Sequence, residues 1–293
     1  MSLALKEIAW NRIRLSVPAH WEIAFIGERQ LTFQEGLKAA LEIKWRTVTG
    51  KFSHRSHIKR LSAQHKGKLK QPIDSCPLPN EWEKALKTFS ISGFAWDADN
   101  ISGRGGILFC PVCRTATLIQ FFFHAGDSSD RLPVAVLQTY RDHRHDGVTD
   151  WRVFDICATL PERFMLTDHR FHPGKYVLAF SDKTHRIQLL RWAPASVLLR
   201  DQTLAQFAGS WAQDLHRAFA ETTINGCRGV EWKRSAPTKL NRWRPRLFSA
   251  PLFQLMRIWH LERQNRIFGV TIDGKIPIDP ELVSDVCGMY DSL

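Results

Sequence analysis

A repeat constrains this chain more than any other feature. Residues Trp10 to Trp21 find a counterpart in Trp151 to Phe164. In both, an alternating stretch ends at a proline, Pro18 or Pro161, and a large aromatic follows three residues later. Period-two alternation predicts a strand with one buried face, and the proline ends it. Two further strands match: Leu31 to Phe33 with Val177 to Phe180, and Ile43 to Trp45 with Leu190 to Trp192. Gly27 and the His172-Pro173-Gly174 stretch supply turns before them. Gly93 to Trp96 then matches Gly229 to Trp232. A long hairpin follows each, over 106–123 and 253–272. Each module closes on a short helix, 132–140 and 280–290, with Val136 level with Val286 and Tyr140 with Tyr290. Matched elements in one order predict a tandem duplication, with modules at 1–147 and 148–293.

Helices are expected between the third and fourth matched strands. Leu204, Phe207, Trp211, Leu215 and Phe219 recur at three- and four-residue spacing, so 203–219 reads as an amphipathic helix capped by Asp201 or Thr203. Residues 80–89 are its shorter counterpart, with Asn80 as cap. The fold class is therefore α+β: a duplicated, mainly antiparallel sheet module with flanking helices. The opening Val17-Pro18-Ala19-His20-Trp21, the turn-rich second strand and the closing helix resemble Mog1/PsbP-like α/β modules, present twice. The resemblance covers most of each module. It implies a non-enzymatic binding or assembly factor and transfers no catalytic residues. The basic insert of the first module departs from the pattern.

The chain has 293 residues, 44% of them hydrophobic, and 11 tryptophans, enough for a proper core. The N-terminus lacks a basic segment followed by an apolar run, and no apolar stretch reaches bilayer length. The expectation is a soluble, cytoplasmic protein with no membrane partner and with reduced thiols at its six cysteines.

A net charge of +12 favours an anionic partner. Much of the excess lies in two stretches free of Asp and Glu. Within the insert 44–73 lie Lys44, Arg46, Lys51, Arg55, Lys59, Arg60, Lys66, Lys68 and Lys70 up to residue 70, with His54, His57 and His65 interleaved. The loop 233–246 carries Lys233, Arg234, Lys239, Arg242, Trp243, Arg244 and Arg246. Clustered cations neutralise phosphates, and an aromatic among arginines can stack on a base. Arginine also pairs carboxylates well, so an acidic protein surface satisfies the same loops.

Cys110-Pro111-Val112-Cys113 forms half of a zinc knuckle, or a redox pair, in a hairpin turn. Two more ligands are needed, and Cys76, His54, His57 or His65 could supply them only by folding back. Two histidine-rich groups, Asp142 to Asp146 and Asp168 to His172, read as exposed polar loops that could also ligate a metal. Gly103 to Gly106 reads as a turn. A phosphate-cradling loop, a nucleophile elbow and a paired-acid constellation are all missing from the sequence. The leading expectation is a non-catalytic binding or assembly subunit engaging nucleic acid through its basic loops. The alternatives are a scaffold subunit among other proteins, or a zinc- or redox-dependent enzyme centred on Cys110 and Cys113.

Overall fold

The computed structural model describes residues 4–65, 67, 69, 71–124, 131–212, 218–234 and 253–292. The chain divides into two units, Met1–Asp146 and Gly147–Leu293. In the first, β1 (Leu5–Trp10) and β2 (Ile13–Pro18) form an antiparallel hairpin. Asn11 and Arg12 between them both have positive φ, 44° and 79°, as a two-residue turn joining twisted strands requires. Then come β3 (Glu22–Gly27), β4 (Gln30–Glu35), β5 (Lys38–Thr47), α1 (His54–Gln64), β6 (Asp74–Cys76), α2 (Asn80–Ala85), β7 (Ser90–Asp97), β8 (Ile101–Phe109), β9 (Thr115–His124) and α3 (Arg131–Thr139). Seven strands pair antiparallel in the order β3-β4-β5-β9-β8-β7-β6.

Strand alternation decides what each face meets. Leu41, Ile43 and Trp45 of β5 are buried with Ile119 and Phe121 of β9. Trp82 of α2 packs on this face, its ring 5.2 Å from Phe121. Tyr140, just after α3, donates its hydroxyl to Thr117 Oγ1 at 2.8 Å. Tryptophan N–H groups fasten the hairpin: Trp10 Nε1 donates to the Gly27 carbonyl at 2.7 Å, and Trp45 Nε1 to that of Asn11 at 3.2 Å. The opposite face carries α1, whose Ile58 and Leu61 pack with Ile73, Phe94 and Ile107.

The second unit contains β10 (Val148–Val153), β11 (Ile156–Pro161), β12 (Met165–His172), β13 (Lys175–Ser181), β14 (His185–Trp192), α4 (Ala195–Leu198), α5 (Leu204–Trp211), β15 (Ala220–Ile224), β16 (Cys227–Arg234), β17 (Phe253–Leu261), β18 (Arg266–Gly274), α6 (Pro280–Gly288) and β19 (Tyr290–Asp291). β10 and β11 form a hairpin, and β19 pairs with β11. The seven-stranded order is β12-β13-β14-β18-β17-β16-β15, the first unit's order strand for strand. On one face Phe207 and Ala208 of α5 pack with Leu190, Trp192, Val230 and Ile258. Tyr290 stacks on Phe268 at 4.5 Å and donates to the Leu190 carbonyl at 2.9 Å.

Several expectations need correction. The stretch from residue 44 to 73 is not a loop insert. It holds the end of β5 and the helix α1, which lies between β5 and β6 as α4 and α5 lie between β14 and β15. Hence α1, not α2, is the positional counterpart of α5, and buried Ile58 and Leu61 are the reason it is ordered. α5 starts at a capping box between Thr203 and Gln206 and ends at Trp211, so Phe219 lies beyond it; Leu215 falls outside the described residues. The cap of α2 is Pro79, with Asn80 the first helical residue. Gly103 to Gly106 lies inside β8. A Cβ on Gly103 would sit 2.2 Å from the Trp96 ring, and one on Gly105 would sit 2.2 Å from the Ile119 carbonyl oxygen. These glycines permit close approach rather than a turn. The Trp21 and Phe164 backbone N–H groups donate to the Pro18 and Pro161 carbonyls at 3.0 and 2.9 Å, as matched turns should. Counted back from those prolines, Trp151 is level with Ile8, two residues from Trp10 and on the same strand face. Among the described residues no helix is long and apolar enough to cross a membrane.

Candidate functional site

α1 is entered through Ser53, whose hydroxyl accepts from the Ser56 backbone N–H. Helical spacing then sets Arg55, Ile58, Lys59 and Ser62 along one stripe. That stripe lines a cleft of about 940 Å³ whose other lining residues include Leu69, Pro72, Ile73 and Asp74. The cleft is basic along the helix and apolar at its floor, where Ile58 and Ile73 are each 4% exposed. His54 and His65 also line it. His54 Nε2 lies 3.1 Å from the Ser90 carbonyl and His65 Nδ1 lies 2.9 Å from that of Leu61, so both rings are oriented by the backbone. Asp74 is the one carboxylate among the described lining residues.

The other predicted cations have different surroundings. Lys44 Nζ lies 2.8 Å from Glu42 and Lys233 Nζ 2.7 Å from Glu231, so a carboxylate just outside each acid-free stretch already partners its first lysine. Burial alone would raise the Glu231 carboxyl. Hydrogen bonds from Lys233 and Arg257 outweigh it and hold the group below the usual range. Arg46 contacts His57 Nε2 at 3.2 Å. Lys51, Arg60 and Arg234 are exposed. Lys66, Lys68 and Lys70, and likewise Lys239, Arg242, Trp243, Arg244 and Arg246, lie outside the described residues.

A second cluster surrounds the β8–β9 turn. The Cys110 backbone N–H donates to the Thr115 carbonyl at 2.9 Å, and Arg114 has a φ of +58°, so the turn between the cysteines is tight. The ligands expected from Cys76, His54, His57 or His65 are not the ones brought here. Asp142 and His143 are, and one sulfur, oxygen or nitrogen ligand atom from each of the four residues lies within 4.8 Å of the other three. Their placement follows from the backbone. Arg141 exchanges main-chain hydrogen bonds with Arg14 of β2 at 2.8 and 2.7 Å, and Tyr140 is anchored to Thr117. Asp142 is consequently 4% exposed rather than part of an exposed loop. Cys113 Sγ lies 3.0 Å from Asp142 Oδ2, and His143 Nδ1 lies 2.7 Å from Asp142 Oδ1 and 3.9 Å from Cys110 Sγ. Burial, reinforced by the Asp142 carboxylate, pushes the Cys113 thiol up to about 12 against the opposing hydrogen bond from Thr115. The other histidine group, Asp168 to His172, lies along strand β12, where Arg170 pairs with Asp168 at 2.7 Å.

No known protein family and no curated protein matches this chain. Several solved structures are similar to it at a general level. A Bacteroides thetaiotaomicron VPI-5482 protein is 12% identical with a TM-score of 0.28, over 51% of this chain and 50% of that one. This chain thus spans half the length of that relative. The Saccharomyces cerevisiae Ran-binding protein Mog1p is 9% identical with a TM-score of 0.31, over 42% of this chain and 78% of its own. The Pseudomonas aeruginosa T6SS immunity protein TplEi is 8% identical with a TM-score of 0.37, over 98% of this chain and 97% of its own.

Proposed function

We propose that this protein is a binding module whose α1 cleft takes an acidic, partly apolar polypeptide segment. The observation that carries the reading is the pairing of Arg55 and Lys59, one helical turn apart, with a buried apolar floor in a single cleft. Arginine engages carboxylates in a two-pronged geometry, and a floor of Ile58 and Ile73 gives an apolar side chain beside the acid a place to bury. The net charge of +12 favours a second reading, a nucleic-acid strand. Two features weigh toward peptide. Lys44 and Lys233 are already partnered by carboxylates, which reduces the cations left for phosphates. The cleft floor is aliphatic, whereas single-strand binders stack bases on aromatic rings.

Fluorescence anisotropy separates the two. A labelled peptide of alternating Asp or Glu with Leu or Phe should bind and weaken moderately with salt, and its Asn/Gln version should not bind. A labelled single-stranded oligonucleotide that binds while the peptide does not would replace this reading with the nucleic-acid one. Binding of neither probe would remove both.

We further infer that the two units descend from one duplicated Mog1/PsbP-like module. The shared strand order, the paired turns at Pro18 and Pro161, and the buried pair Tyr140 and Tyr290 support it.

A further inference from the structure

We propose that Cys110, Cys113, Asp142 and His143 form a closed four-ligand site for zinc or a divalent cation of similar softness. The site is separate from the α1 cleft and does not depend on it. The donor set is two sulfurs, one imidazole nitrogen and one carboxylate oxygen, which suits zinc and disfavours magnesium or calcium.

The spacing also fits. With metal–ligand bonds of about 2.0–2.3 Å, a tetrahedral site has ligand-to-ligand edges of roughly 3.3–3.8 Å. The 3.9 Å between Cys110 Sγ and His143 Nδ1 is already close to such an edge. The 3.0 Å Cys113–Asp142 and 2.7 Å Asp142–His143 contacts are hydrogen-bond lengths. They are made by the two different Asp142 oxygens, Oδ2 and Oδ1. One oxygen therefore moves away by about half an ångström and becomes the ligand when a cation replaces the shared protons, within a set whose ligand atoms already lie within 4.8 Å of one another.

The arrangement is built from both sides. The tight turn at Arg114 presents the two cysteines, and the Arg14–Arg141 main-chain pairing presents Asp142 and His143. His143 Nε2 is buried without a hydrogen-bond partner, so the ring is held by its Nδ1 edge, which faces the cluster. On binding, the two thiols release their protons to solvent, the His143 proton passes from Nδ1 to Nε2, and the cation takes the place of these protons between the sulfurs, Nδ1 and Asp142. All four positions of a tetrahedron are then filled by protein, with Cys110 and Asp142 each 4% exposed. Such a site clamps structure and leaves no open position for substrate. It would tie the β8–β9 hairpin to the segment after α3. The equivalent turn of the second unit, Glu262 to Asn265, has no cysteine or histidine, so one cation per chain is expected.

The test uses the full chain, reduced and stripped of metal, titrated with cobalt(II) and then zinc(II). The expected result is one cobalt per chain, with thiolate-to-cobalt charge-transfer absorption and tetrahedral visible bands that zinc abolishes. Cys113→Ser and the near-isosteric Asp142→Asn should change or abolish the bands, while Cys157→Ser leaves them intact. Wild-type protein with all thiols reduced that gives no such bands overturns the proposal without any variant. Bands that survive unchanged in both Cys113→Ser and Asp142→Asn overturn it too.

Discussion

The Tyr140 hydroxyl meets Thr117 Oγ1 at 2.8 Å, with the tyrosine wholly buried, and this contact fixes where the chain goes next. Asp142 follows two residues on. Burial holds the Tyr140 phenol well above its usual range, so it is a permanent donor. Tyr290 repeats the arrangement toward the Leu190 carbonyl. Phenylalanine at either position keeps the ring and removes one hydrogen bond. Tyr140→Phe and Tyr290→Phe should each lower unfolding free energy by about 1 kcal/mol in urea melts. Tyr140→Phe should also loosen Asp142 against Cys113, and amide exchange at residues 141–143 should rise. Unchanged exchange there would mean that Arg14 alone positions the segment.

The glycines of β8 give a steric prediction. Gly105→Ala places a methyl against the backbone of β9, and Gly103→Ala places one against the Trp96 ring. Overpacking of this kind costs about 1–3 kcal/mol. Gly105→Ala should be the worse, since backbone cannot rotate away. Gly103→Ala should displace Trp96 from its 3.2 Å bond to Gln120, read as a shift in tryptophan emission.

Asp182 makes part of the second unit sensitive to acid. Its Oδ1 accepts from the backbone N–H groups of Thr184 and His185, each at 2.7 Å, and from the Thr184 hydroxyl at 3.0 Å. Burial alone would raise this carboxyl, but the hydrogen bonds outweigh it and hold it below the usual range. A group lowered on folding stabilises fully above its unfolded pKa, about 3.9. The contribution is lost as pH falls through the folded value. Asp182→Asn should therefore lower the urea midpoint at neutral pH, and that difference should shrink in acid. A difference that stays constant down to strong acid would assign the effect to shape rather than charge.

The sequence carried the parts of the fold that bury one face. Val136 and Val286 are buried in the closing helices and the aromatics after Pro18 and Pro161 stand where the pattern puts them, whereas Tyr140 and Tyr290, expected within those helices, are buried just past them, Tyr290 in β19. β3 and β12 were not legible because they are edge strands, mostly exposed or half-buried, with no apolar alternation to read. Gly103 to Gly106 looked like a turn because its reason for being glycine sits on neighbouring strands, at Trp96 and Ile119. Within the two candidate sites, Cys110 and Cys113 stood out by spacing, and Arg55 and Lys59 by charge. Asp142 and His143 were legible only as a possible metal-binding group of their own, not as partners of the cysteines, because a run dense in Arg, His and Asp reads as solvated surface. Only the long-range pairing of Arg141 with Arg14 shows that it turns inward.

On the proposed function, the α1 cleft, and not general positive charge, binds the acidic segment. The direct measurement is the affinity of the Arg55→Glu, Lys59→Glu double variant for the acidic, apolar peptide. Both side chains are exposed, whereas the helix is held by buried Ile58 and Leu61, so α1 should stay folded by circular dichroism. Affinity should fall by about tenfold or more, about 1.4 kcal/mol at least. The same reversal at exposed Lys51 and Arg234 should change it little. Equal losses from both double variants would assign binding to general positive charge, and no loss from the cleft variant would place it elsewhere than the α1 cleft.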